Sequence, residues 1–151
     1  MLDQPVFTSN PRSGFRQFLF YWLPVLVYLT AIFYFSSLSN PPSPLHFDNA
    51  DKLEHLCEYG LFGLLVGRAI RKSVSPYSML AAAVITVSLV MMIAAADEYF
   101  QSFVPGRDSA IFDWLTDTTA AITSQGLLWR AWSAAEKKRR QARAAAARGG
   151  A

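Results

Sequence analysis

The chain has 151 residues, 52% of them hydrophobic, with a formal net charge of +3 and a mean hydropathy of +0.21. That is one domain's worth of chain, but too apolar for an ordinary soluble domain of its size, so a membrane protein is the better prior. A lone cysteine, Cys57, rules out an intrachain disulfide. The basic surplus clusters just after an apolar stretch, where topology and attraction to anionic lipid account for it, so no nucleic-acid partner is expected.

Crossing a bilayer core as a helix takes roughly 20 mostly apolar residues, and the chain supplies four such segments. The first, residues 18–38, is rich in aromatics and contains Pro24, which a membrane helix tolerates when neighbours satisfy the freed carbonyl. Arg12, Arg16 and the small residues Ser37 and Ser39 would also suit a signal peptide, but the apolar run is longer than a signal h-region. The prolines of residues 40–44 end this helix and read as an external loop. The second segment, residues 53–70, carries Glu54, His55 and Glu58 in its outer half. The third, residues 77–96, is the clearest, with only Ser78, Thr86 and Ser88 as polar interruptions. Pro105-Gly106 predicts a turn, and Asp108 or Ser109 is suited to cap the next helix. The fourth segment, residues 110–129, contains Asp113 and Asp117. Beyond it lies an Ala-rich tail with Lys137, Lys138, Arg139, Arg140, Arg143 and Arg148, which suits a surface helix fraying at Gly149 and Gly150. The expectation is an all-α integral membrane bundle of four transmembrane helices over residues 1–130, followed by a basic cytoplasmic tail over residues 131–151.

Charge is sorted by sign along these segments. Every Lys and Arg except Lys52 and Arg107 falls in the N-terminus, the second connection or the C-terminal tail, or at the segment ends beside them. Every Asp and Glu except Asp3 and Glu136 falls in or beside the first and third connections, with both histidines. Basic connections stay cytoplasmic, which predicts a multi-pass inner-membrane protein with both termini inside and the acidic groups facing outward.

Two polar clusters share that outer side. In the first, Asp51, His55 and Tyr59 recur every four residues and Glu58 lies three beyond His55, so they form one stripe on a helix, with Lys52 beside it. In the second, Asp97 and Glu98 share a helix end with Gln101, and Arg107 and Asp113 follow the turn. Ionisable groups inside spans face a bundle interior or a wet cavity and are functional candidates by default. His55 fits general acid/base chemistry, a metal ligand alongside Asp51 or Glu98, or a helix-helix hydrogen bond. One histidine among carboxylates lacks zinc-ligand spacing, so no metal site is assigned from sequence. Arg107 fits a phosphate or carboxylate ligand, or a salt bridge to Asp108 or Asp113. Ser36 and Ser37 are candidates to reach the same cavity.

These residues resemble the VanZ family of small bacterial membrane proteins, from about residue 33 to residue 124. The family's Asp-Lys-x-x-His-x-x-x-Tyr motif maps to Asp51, Lys52, His55 and Tyr59. Its Asp-Glu-x-x-Gln and Pro-Gly-Arg pieces map to Asp97, Glu98, Gln101, Pro105, Gly106 and Arg107, and its fourth-helix aspartate to Asp113. Where the family usually has Asn-x-x-Gly-x-x-x-Gly, this chain has Asp117, Ala120 and Ser124; the small residues still permit close helix approach. The resemblance implies an envelope protein linked to resistance to the glycopeptide teicoplanin. The partners expected are the lipid bilayer and a cell-wall precursor, glycan or lipid-linked head group; no cofactor is assigned. On that reading Asp51, His55, Glu98 and Asp113 are the catalytic candidates. Lys52, Tyr59, Asp97, Gln101 and Arg107 are the substrate-binding ones. A non-catalytic ligand-binding or resistance module, and a proton- or ion-handling protein, remain as alternatives.

Overall fold

The computed structural model describes residues 11–41, 50–73, 78–107 and 109–149. Among them are four helices and no strand: α1 (Pro11–Ser36), α2 (Ala50–Ser73), α3 (Met79–Gln101) and α4 (Ile111–Gly149). Residues 42–44 of the proline loop, Tyr77 and the Asp108 cap lie outside the described residues. Pro24 sits inside α1 without ending it. The Ser78 hydroxyl caps α3 by accepting the Ala81 N–H at 3.1 Å. After α3, Val104 N–H bonds Gln101 O and Arg107 N–H bonds Val104 O. Gly106, at φ +82, takes the left-handed conformation that reverses the chain toward α4.

Helix α2 is the hub. It packs most extensively on α4 and also contacts α1 and α3, while α3 lies against α4. Residue numbers rise together across the α2·α4 seam, from Lys52 and Asp113 to Gly63 and Gln125, so these helices run parallel. At Gly63 the backbones approach closely: an added Cβ would lie 3.3 Å from Ala121 Cα and collide with Ser124 Oγ. Gln125 Nε2 exploits the gap by donating to Gly63 O at 2.9 Å. Tyr28 stacks on Phe62, and Phe33 meets Phe100 edge-on, fastening α1 to α2 and α3.

Around an apolar core that includes Ile32, Phe62, Val66 and Val90, the bundle also buries polar groups and exposes large apolar ones. Thr86, Asp97, Gln101, Asp113, Asp117, Ser124 and Gln125 are buried, whereas Phe18, Phe20, Leu26, Val84, Met92, Phe112, Leu115 and Ile122 are exposed. Two helices, over Gly14–Ser36 and Met79–Gln101, are long and apolar enough to cross a membrane. Helices α2 and α4, which carry more charge, do not pass that test. Helix α4 also runs unbroken for 39 residues, so the boundary expected near residue 130 is not a break in the backbone.

Charge separates along the bundle. At one end the Arg68 guanidinium lies 4.9 Å from the Phe20 and Tyr21 ring centres, Arg71 lies 5.9 Å from that of Trp132, and Trp22 donates to Ser73 Oγ. In the extension of α4 the hydrogen bond from Arg140 holds the Glu136 carboxyl below its usual range. The opposite end carries the acidic groups. Replacing Gly63 with Val, which forces the α2·α4 seam apart, is expected to cost roughly 1–3 kcal/mol. Thermal unfolding of detergent-purified protein checks this, and an unchanged melting temperature would refute the close-approach role.

Candidate functional site

The first turns of α2 and α4 and the last turn of α3 bring the two polar clusters together. On α2, the four-residue spacing of Asp51, His55 and Tyr59 presents them on one stripe, and the partners come from other helices. Lys52 Nζ donates to Asp113 Oδ1 at 3.0 Å and to Asp51 Oδ2 at 3.3 Å. His55 Nδ1 lies 3.0 Å from Asp117 Oδ1. Tyr59 donates its hydroxyl to Asp97 Oδ2 at 3.0 Å, and its ring lies parallel to that of His55.

From α3, Gln101 Nε2 donates to Asp97 Oδ2 at 3.0 Å and to Ser36 Oγ at 3.3 Å. Arg107 Nη2 donates to Gln101 Oε1 at 2.8 Å. A relay of hydrogen bonds thus runs from Arg107 through Gln101 to Asp97, which Tyr59 holds from the other side. Asp97, Gln101 and Tyr59 are all buried. Glu98 lies within 4.8 Å of His55 and Asp117, and its Oε2 accepts the Ala110 N–H at 3.0 Å, satisfying a backbone donor just ahead of α4.

A recess of about 450 Å³ opens beside this network. Its polar walls are Ser36, Asp51, Glu54, His55, Glu58, Gln101 and Arg107, and Tyr28, Phe35 and Leu61 are among its apolar ones. Of the residues singled out in the sequence, Asp51, His55, Gln101 and Arg107 line the recess. Tyr59 and Asp97 are bonded to each other and do not line it. Lys52 and Asp113 form a pair apart from it, and Glu98 lines a neighbouring cavity with Ser109, Ala110 and Trp114. Ser36 reaches the recess, whereas Ser37 Oγ turns back to Tyr34 O.

Two pairings differ from the sequence expectation. The carboxylate on His55 is that of Asp117, while Asp51 is taken by Lys52. Arg107 bonds the Gln101 amide, and Asp113 is occupied by Lys52. Asp117 is therefore the site residue that sequence reasoning undervalued. Its signal was present: it lies one helical turn after Asp113 on the same face.

A family model described as VanZ/LLP1 matches residues 1–132. The chain belongs to the VanZ/LLP1 family. No curated protein and no solved structure matches it. The VanZ/LLP1 match takes in α1, α2, α3 and the first part of α4, and with them every candidate residue; the exposed end of α4 lies beyond it. Together with the two long apolar helices, VanZ/LLP1 membership points to a membrane protein.

The relay predicts a stability effect. Tyr59→Phe removes one of two donors to the buried Asp97 carboxylate and is expected to cost about 1–3 kcal/mol. Thermal unfolding checks it, and a melting temperature equal to that of the unaltered protein would show that the bond contributes nothing.

Proposed function

We propose that this VanZ/LLP1 protein spans the bacterial cytoplasmic membrane four times with both termini inside. Its recess then faces outward and takes an envelope ligand: a cell-wall precursor, a glycan or a lipid-linked head group. Two features support four spans. Helix α4 buries Asp113 and Asp117 while exposing Phe112, Leu115 and Ile122, the pattern of a span whose ionisable groups face the bundle. The basic and acidic ends of the bundle also agree with cytoplasmic and external sides.

The observation that carries the ligand reading is the recess itself, where Asp51 and His55 of α2 meet Gln101 at the end of α3 and Arg107 of the turn after it. Arg107 supplies a planar fork for a phosphate or carboxylate. Asp51, Glu54 and Glu58 offer acceptors to hydroxyl or amine groups on the ligand. His55, oriented by Asp117, is placed to exchange a proton with a bound group. A second reading, a module that holds or shields the ligand without altering it, is favoured by one fact. Glu98 and Asp113, the candidates for a second acid/base, do not line the recess. The family's link to glycopeptide resistance fits either reading, and teicoplanin is the compound to test.

Both levels are testable. In a Cys57→Ser background, Ser39→Cys should react with a membrane-impermeant thiol reagent from outside and Ala147→Cys only after permeabilisation; equal reactivity would refute the orientation. His55→Ala and Arg107→Ala, at membrane abundance matched to the unaltered protein, should reproduce the glycopeptide sensitivity of the deletion strain. Wild-type resistance in both variants, against a clear deletion phenotype, would defeat the recess as the working site.

A further inference from the structure

His55, Glu98 and Asp117 concentrate more negative charge than their neighbours offset. One imidazole nitrogen and one oxygen from each carboxylate lie within 4.8 Å of one another. Asp117 is 0% exposed and Glu98 7%. Each keeps an inaccessible oxygen without a hydrogen-bond partner among the described residues, Asp117 Oδ2 and Glu98 Oε1. A buried carboxylate oxygen left unpaired is costly and calls for an explanation. Among the described residues no Lys or Arg salt-bridges either group: Lys52 is committed to Asp51 and Asp113, and Arg107 bonds Gln101. Glu98 accepts from the Ala110 N–H and the Ser109 side chain, and Asp117 pairs with the His55 ring, so every partner is a neutral donor or the imidazole.

We propose that His55, Glu98 and Asp117 form a binding site for one divalent cation of the Zn²⁺ or Mn²⁺ class. One imidazole with two carboxylates is a donor set suited to these ions; Ca²⁺ and Mg²⁺ favour oxygen alone, and softer ions favour thiolates. Ligand bonds of about 2.0–2.2 Å place donors roughly 3.4 Å apart around a tetrahedral ion. The observed set, spread over at most 4.8 Å, therefore has to contract by up to about 1.4 Å. The ion's charge balances the two carboxylates, and its ligands come from α2, α3 and α4, so binding ties three helices together. Three protein ligands also leave a coordination position open, and His55 stands at the wall of the recess. The Tyr59 ring, whose hydroxyl is bonded to Asp97, lies parallel to the imidazole with 6.3 Å between ring centres. This inference goes beyond the envelope-ligand reading and does not depend on it.

The full chain, purified in detergent and stripped with a chelator, is exposed to Zn²⁺ or Mn²⁺, and bound metal is measured by mass spectrometry alongside the melting temperature. About one ion per chain and a metal-dependent rise in melting temperature are expected. Glu98→Gln and Asp117→Asn preserve shape while removing charge, and should weaken binding by at least about 100-fold and abolish that rise. Glu136→Gln, in the exposed extension of α4, should bind like the unaltered protein. The site is overturned if the stripped protein takes up neither ion, or if the two carboxylate variants bind as tightly as it does. It is equally overturned if those variants melt higher while the unaltered protein binds no metal, because a shared proton would then account for the paired carboxylates.

Discussion

The α2·α4 seam fixes where every other element can sit. Along it, Lys52 meets Asp113, His55 meets Asp117, and Gly63 O meets the Gln125 amide, three contacts in one parallel register. Sliding one helix by a turn would break all three and push the Gly63 gap against a larger neighbour. In an apolar setting such a slip is costly, because no water is available to satisfy the released groups. Packing of small residues provides the close approach, and the polar contacts specify which close approach is taken.

With that register set, α3 completes the arrangement by bringing its last turn against the N-terminal ends of α2 and α4. Asp97 is then caught between Tyr59 and Gln101, and Glu98 reaches the start of α4. Helix α1 contributes less: Ser36 closes one wall of the recess, and Tyr28 and Phe33 provide its aromatic attachment. The site thus draws on all four helices. Its two most deeply set carboxylates, Asp97 and Asp117, are held by hydroxyl, amide and imidazole groups, and the lysine and arginine engage other partners.

How much of this was legible depended on range. The Asp51–His55–Tyr59 stripe could be read directly, because helical periodicity is local. The uniformly apolar run of α3 and the turn at Gly106 were equally plain, for the same reason. Cross-helix partners were not legible. Asp51 was the aspartate one turn from His55 on the same stripe, but register delivers Asp117, four residues beyond the aspartate that the family motif had singled out. Arg107 was expected beside carboxylates, and it does line the recess with Asp51, Glu54 and Glu58, but its hydrogen-bond partner there is the Gln101 amide. The tail was read as a surface helix of its own, and it continues the fourth helix: from Ile111 to Arg148 there is one Gly, Gly126, and no Pro, so nothing local stops it.

That continuity makes α4 a single rod. With 39 residues it is about 58 Å long, with Asp113 and Asp117 near one tip and a basic, solvent-exposed stretch at the other. Because α2 holds it at Asp113, Asp117, Gln125 and Trp132, this length reorients as one body, and a tilt of ~10° swings the far end through ~10 Å. Any strain that reorients the first turns of α4 is therefore carried to the opposite side of the bundle as a displacement of positive charge, with no joint between to absorb it.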